Sequence, residues 1–547
     1  MTVAAPERGQ DMLVLADRIH TCAPAGTVGA LLVRDGRIVD AGAPDTLRAA
    51  APHAAALDLR GMTITPGLTD SHAHLTEWAF ARRDVDLADT RSPVDAAARV
   101  ADRINGRNRA PSGAHPAVGR AAMPWVRGRG WNPHRWHGDS PHRAILDAHV
   151  PDRPAALQSH DMHALWVNSA ALRMAGIDAD TPDPEGGSIV RDAAGQPTGL
   201  LLEWAGRLIT ERIEAPTLDD AISALRDAQA ELHTLGITGA HSFPGIHLTT
   251  PDPLTVLSAL HDAGELRLRI LQHLSLDSLD DAIDSGVRSG SGNDWIRTGA
   301  VKMFLDGALG SRTAWMREPY ENDGGCGMRM MEPGEFRHHV RRAAGHGIAS
   351  AVHAIGDAAV CLALDILADP DARVHALPHR IEHVQCCPPE RFDAAAAAGI
   401  VCSMQPSHLI TDWTIADTHW GCRRAAGTYA FGSLLRCGTI LAFGSDVPVE
   451  PVDPRRGLFA AVMRQDLGRA PAGGWHPSER IGVMDALRGY TVGPARAAGL
   501  SAPAGSLAPG AAADFSAWDH DPCSDPEAIM DMRCTATVIA GRLVHAC

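Results

Sequence analysis

Eight short apolar runs, most of them followed by a helix-compatible, alanine-rich stretch, limit this chain more than any other feature. They are Ile64 to Leu75, Ile237 to Phe243, Leu268 to Ser275, Gly299 to Gly307, Ile348 to Gly356, Arg380 to Val384, Ile400 to Gln405 and Ile440 to Asp446. Runs of this length read as strands buried on both faces, and segments such as Leu218 to Leu235 and Glu390 to Ala398 read as the helices between them. Alternating strand and helix demands parallel pairing. Eight such units predict an α/β fold, a (β/α)8 TIM barrel, whose chemistry belongs at the C-terminal ends of the strands.

The chain is longer than one barrel needs, and the surplus has a pattern. Residues 12 to 62 alternate apolar and polar, with Asp35-Gly36 between two β-rich runs as a hairpin signal. The C-terminus repeats the pattern in Asp514-Phe-Ser-Ala-Trp518 and Thr537 to His545. Strands at both ends of an α/β body suggest one small β-sandwich completed by the two termini, 1–63 with 496–547. Barrel strand one then occupies 64–79, an insertion 80–235, and the rest of the barrel 236–495. The insertion is rich in Trp, His, Arg and Pro, notably from Trp125 to His137 and from Ser159 to Ser169. It reads as a lid subdomain with an aromatic core, as a surface for an apolar substrate group, or as both.

Composition excludes some functions. A net charge of −15, from 65 acidic against 50 basic residues, opposes a protein that tracks nucleic-acid phosphates. The N-terminus has no basic segment followed by an apolar one, and no apolar run reaches membrane-spanning length, so a cytoplasmic protein with no membrane or nucleic-acid partner is expected. Eleven cysteines without Cys-x-x-Cys spacing do not form a disulfide framework; most, including Cys386-Cys387, read as small buried thiols. The partner is a small molecule, and the chain acts as a monomer or a homo-oligomer.

Polar residues at the strand ends carry the chemistry. Side chains alternate along a strand, so His72 and His74 point the same way and can converge on one ion. With 28 histidines, about one or two His-x-His pairs arise by chance, and this pair alone decides little. Lys302 lies within strand four, His353 ends strand five, His383 ends strand six, and Asp446 closes strand eight. Taken singly, each has an ordinary explanation: a snorkelling lysine, a satisfied core histidine, a turn aspartate. All of them at the catalytic end of one barrel is a poor coincidence.

This constellation resembles the amidohydrolase superfamily over nearly the whole chain. The segments Lys302 to Ala314, Val352 to Asp357, Arg380 to His383, Gly444 to Val449 and His163 to Ser169 resemble the branch containing N-substituted formamide deformylase. The resemblance implies a binuclear site, with His72, His74 and Asp446 on one metal, His353 and His383 on the other, and Lys302 carboxylated by CO₂ into a bridging carbamate. Zn²⁺ is the expected ion, with Mn, Fe or Co as alternatives for such a donor set. A water between two such ions becomes hydroxide near neutral pH and attacks a carbonyl. Asp446, with His353 beside it, is the expected catalytic group. His163, Asp306 and Arg312 are expected near the substrate, and Glu382, on the opposite face of its strand from His383, is expected to be structural. The implied activity is hydrolysis of a non-peptide C–N bond, an N-substituted formamide among the substrates. Cyclic amides, N-acyl groups, amidine-type carbons and esters suit the same chemistry, and a catalytically inactive metal-binding barrel is the non-enzyme alternative.

Overall fold

The computed structural model describes residues 11–105, 125–136, 140–160, 162–245, 250–321, 324–425 and 427–547. The N-terminal stretch read for a leader, His137 and Asp161 lie outside them. The chain divides into two units, one of residues 1–74, 228–244 and 257–547, the other of residues 75–227 and 245–256.

In the first unit the eight expected runs form one parallel eight-stranded sheet. Its strands are Leu68–Ala73, Ile237–Ser242, Arg269–Leu274, Ile296–Phe304, Ser350–Ala354, Arg380–His383, Val401–Met404 and Leu441–Phe443, paired in chain order. A parallel bridge from Ala73 to Val447 returns the end of strand eight to strand one. Strands five to eight are buried at every residue, which is why they read as continuous apolar runs rather than alternating ones. The chain therefore has a (β/α)8 barrel.

Both termini build a second, seven-stranded sheet in the order Arg542–Ala546, Cys534–Ile539, Phe515–Trp518, Ala55–Pro66, Met12–His20, Thr27–Arg34 and Arg37–Gly42. Among the described residues it is one hydrogen-bonded sheet, with one face gathering Val14, Leu31, Val33, Leu57, Ile64, Phe515 and Val538 into a single apolar cluster. The hairpin turn is Asp35-Gly36, both at positive φ, 48° and 74°, the geometry that matches strand twist in two-residue turns. Ile64, Thr65 and Pro66 belong to this sheet and not to barrel strand one, which begins at Leu68. The sheet is fastened to the barrel by polar contacts, as Ser516 Oγ donates to the Gly236 carbonyl (2.7 Å) and Arg269 pairs with Asp514, while within the sheet Trp518 Nε1 donates to Thr65 Oγ1 (3.0 Å). Gly236, with φ +75°, sits so close that a Cβ there would lie 2.7 Å from the Trp518 ring.

The second unit holds a mixed six-stranded sheet in the order Gly187–Arg191, Pro197–Glu203, Ala164–Val167, Ala155–Ser159, Val126–Trp131 and Val85–Asp86. Trp131, Trp136 and Trp166 pack as stacked and edge-on rings 5.2 to 6.3 Å apart and are at most 1% exposed. These three tryptophans belong to a buried apolar cluster of the unit with Val85, Leu87, Leu146 and Leu157, which is the aromatic core expected of the insertion.

Among the described residues no helix is long and apolar enough to cross a membrane, and the described cysteines are unpaired. Burial pushes the Cys386 and Cys387 thiols upward, as expected of inert packing groups.

Candidate metal centre

Strand one delivers His72 and His74 and strand eight delivers Asp446, and the barrel seam brings these two strands side by side. Gly444 makes the approach: a Cβ there would run into His72 N and lie 2.6 Å from Asp70 Oδ1. Asp70 ties the seam together. Its buried carboxylate accepts from His72 N (3.0 Å), Ser445 N (3.0 Å) and Ser445 Oγ (2.5 Å), and burial pushes its carboxyl up to about 6.

Asp446 then faces a ring of imidazoles. Its Oδ1 is 3.3 Å from His72 Nε2 and 3.5 Å from His74 Nε2, and its Oδ2 is 3.9 Å from His383 Nδ1 and 3.8 Å from His408 Nε2. His353 stands edge-on to His383 at 4.5 Å between ring centres. Burial alone would raise the Asp446 carboxyl, but the histidines, His72 foremost, outweigh it and hold it well below the usual carboxylate range. Asp446 (φ 61°) and His383 (φ 73°) both adopt left-handed backbone, a strain of about 1–3 kcal/mol each that the surrounding fold must overcome.

The other nitrogen of each ligand candidate is already engaged, which fixes what the ring can offer. His72 Nδ1 donates to Glu382 Oε2 (2.6 Å), His74 Nδ1 to the Pro244 carbonyl (2.7 Å), His353 Nε2 to the Gly307 carbonyl (3.0 Å) and His383 Nδ1 to Gln405 Oε1 (2.8 Å). Each ring is therefore left with a lone pair on its second nitrogen, as a metal ligand requires. His72 Nε2 is buried with no hydrogen-bond partner, and burial, reinforced by the Lys302 charge, pushes the His72 imidazole down to about 4. Donor atoms of His72, His383 and Asp446 lie within 4.8 Å of one another. Neutral imidazoles around a carboxylate suit a divalent ion of the zinc class.

Lys302 enters between two rings, its Nζ 4.6 Å from the centre of Phe243 and 4.8 Å from that of Phe304. Burial pushes its ammonium down to about 8 against the opposing pull of Glu382 and Asp446.

Glu382 has more than the structural part expected of it. Fully buried, it pairs with Arg380 (2.5 Å from Nε, 3.0 Å from Nη2) and holds the His72 ring. Arg380, also fully buried, donates further to the Ser71 carbonyl (2.7 Å), Ser403 Oγ (2.6 Å) and His241 Nδ1 (2.8 Å). Strand alternation does send Glu382 away from His383; it sends it into the barrel interior, beneath His72.

The outer residues fare differently. Asp306, expected near the substrate, is 0% exposed and accepts from the amides of Trp315 (2.9 Å), Ile355 (3.0 Å) and Gly356 (2.8 Å), so it ties together the loops after strands four and five. Arg312 is exposed on that Gly-rich loop at φ 59°. His163 lies in the second unit, where its Nδ1 donates to Glu203 Oε2 (2.8 Å). Asp70 and His408 escaped the sequence reading. Asp70 precedes His72 by two residues and so had the same register signal, whereas His408 lies beyond strand seven in Gln405-Pro-Ser-His408, where strand alternation gives no signal.

A model described as "Amidohydrolase family" matches residues 55–545. The chain is 32% identical to Protein LONG AFTER FAR-RED 3 of Arabidopsis thaliana, covering 90% of this chain and 84% of that one. It is 29% identical to the N-substituted formamide deformylase of Arthrobacter pascens, covering 98% of both. Among solved structures, a metal-dependent hydrolase of Pyrococcus horikoshii superposes with a TM-score of 0.76 at 27% identity, covering 98% of this chain and all of that one.

Proposed function

The chain belongs to the amidohydrolase family, and on that premise we propose that it cleaves a non-peptide C–N bond in a small-molecule amide, with N-substituted formamides the first class to test. That it is a metal-dependent hydrolase follows from the family and from its likeness to the Pyrococcus enzyme. The observation that carries the finer reading is the convergence of His72, His383 and Asp446 donor atoms within 4.8 Å, with His74 also on Asp446. A deformylase relative that covers both chains almost end to end supports the choice of formamides.

His72, His74, His353, His383 and Asp446 would hold one or two divalent ions, zinc being the first choice. Such an ion supplies an acidified water and a polarised carbonyl oxygen. Asp446, surrounded by imidazoles that keep it ionised, accepts the proton of the attacking water and passes it to the leaving nitrogen, so that the C–N bond breaks to give a carboxylic acid and a free amine. Lys302, whose amine is neutral in appreciable part near pH 8, adds to CO₂ with loss of a proton and becomes a carbamate, replacing a cation by an anion among the ligands. Glu382 holds His72 in the tautomer whose Nε2 faces inward. His163 and Arg312 are assigned to the substrate, and an unchanged kcat/KM in His163→Ala would withdraw that residue.

The test is formate release from a panel of N-substituted formamides beside the matching acetamides, with and without chelator. Formate released only in the presence of metal supports the deformylase reading. Metal bound but no formate released directs the same site to other amides, cyclic amides, amidine-type rings or esters.

A further inference from the structure

We infer that His408 is a substrate-facing hydrogen-bond donor, its Nε2–H directed at the carbonyl oxygen of the amide bound beside Asp446, and that it is not a metal ligand. This rests on the hydrolase reading of the same site and adds to it the group that receives the charge developing on that oxygen.

Three features converge on the assignment. His408 is 7% exposed, and its Nε2 is buried with no hydrogen-bond partner, 3.8 Å from Asp446 Oδ2. That gap is too long for a hydrogen bond, so the nitrogen is aimed at the carboxylate's side of the site without being satisfied by it. Its other nitrogen, Nδ1, accepts from Gln385 Nε2 at 3.3 Å. A neutral imidazole that accepts at Nδ1 carries its proton at Nε2, and a protonated nitrogen cannot ligate a metal. This is the reverse of His72, His74, His353 and His383, each of which donates from one hydrogen-bonded nitrogen and so carries its lone pair on the other. Four imidazoles thus stand 3.3 to 3.9 Å from Asp446, with His353 beside His383; His408 is the one suited to hold an oxygen, and the others are suited to hold an ion.

The mounting is rigid. His408 closes the single turn Pro406–His408, its backbone amide donates to the Gln405 carbonyl (3.1 Å), and its own carbonyl accepts from Thr411 Oγ1 (3.1 Å). The same Gln405 orients His383, whose ring lies parallel to that of His408 at 6.2 Å. One short segment after strand seven therefore sets both a ligand and the donor beside it. A donor fixed in place before the reaction stabilises a developing oxyanion without reorganisation, and loss of one such donor typically lowers kcat by about 10²–10³.

The experiment uses the full chain loaded with Zn²⁺, wild type beside His408→Ala and His408→Gln, the glutamine restoring an N–H near the Nε2 position. Metal per chain is counted by mass spectrometry, the affinities for formate and acetate are measured by calorimetry, and kcat and KM are measured on any amide the panel shows to be cut. The expected result is unchanged metal content in both variants and carboxylate affinity about tenfold or more weaker in His408→Ala. A kcat lower by about 10²–10³ with little change in KM should accompany it, and His408→Gln should recover part of both losses. Loss of metal in His408→Ala would make it a ligand and overturn the assignment. So would carboxylate binding equal to wild type, or a wild-type chain that binds neither carboxylate. A chain that binds carboxylate through His408 yet cuts no amide in the panel upholds the donor and refutes the proposed substrate class.

Discussion

Replacing Glu382 by Gln separates two tasks that one buried carboxylate performs. Arg380 and Glu382 are both fully buried, and in the variant the guanidinium loses the one carboxylate it pairs with among the described residues. Leaving a buried charge uncompensated costs about 3–5 kcal/mol, so the metal-free chain should lose stability by that amount in chemical denaturation. The second task is orientation. The glutamine oxygen can still accept from His72 Nδ1, but as a neutral acceptor it makes that nitrogen a weaker donor and His72 Nε2 a weaker ligand. Loss of a carboxylate behind a ligating histidine typically lowers metal affinity about 10- to 100-fold, or about 1.4–2.7 kcal/mol. The measurements are a urea titration of the metal-free chain and competition for Zn²⁺ against a chelator of known affinity. The double variant Arg380→Met/Glu382→Leu should regain part of the stability while leaving the metal affinity low, because it removes the stranded charge without restoring the acceptor. Wild-type metal affinity in Glu382→Gln would refute the positioning role, whatever happens to stability.

The remaining predictions address other parts of the structure. In the metal-free chain His72 is depressed to about 4, below its unfolded value near 6.5, so the unfolded state binds the extra proton between those values and stability falls as the pH is lowered through them. Relative to His72→Asn, the wild type should lose about 3 kcal/mol between pH 6.5 and 4, and parallel pH curves would contradict this. Gly236→Ala must hold a Cβ at φ +75° and 2.7 Å from Trp518, and should cost about 2–4 kcal/mol in thermal melts. Gly264→Ala, at φ +68° with nothing within 4 Å, should show only the backbone part, about 1–2 kcal/mol. Asp446→Asn should abolish turnover while most of the metal stays bound, as counted by mass spectrometry, and retained turnover would remove Asp446 as the base.

The barrel was legible because its strands are buried on both faces, so that runs such as Ile348 to Gly356 stand out as unbroken apolar stretches. The candidate ligands stood out for a related reason: a polar residue closing such a run has no packing purpose there. Where the reading failed, long-range contacts decided the outcome. Ile64 to Pro66 carry the same apolar signal as Leu68 to Ala73, and only pairing with Phe515–Trp518 assigns them to the terminal sheet. The burial of Asp306 was not legible because the three amides it accepts from belong to Trp315, Ile355 and Gly356, at least nine residues away. The tryptophans of the second unit gave a compositional signal that packing and recognition share, and the 0–1% exposures of Trp131, Trp136 and Trp166 account for those three by packing. His408 lies two residues after Pro406, beyond the end of strand seven, where periodicity carries no information.

The central claim is that hydrolysis depends on an ion held where His72, His383 and Asp446 converge. It is tested most directly by stripping the chain with chelator, adding Zn²⁺ back in steps, and measuring bound metal and amine release on the same samples, with His72→Ala alongside. Amine release should rise in proportion to bound metal in the wild type, and both should be lost in His72→Ala. Undiminished release from the stripped chain, or full metal binding and turnover in His72→Ala, would contradict the account.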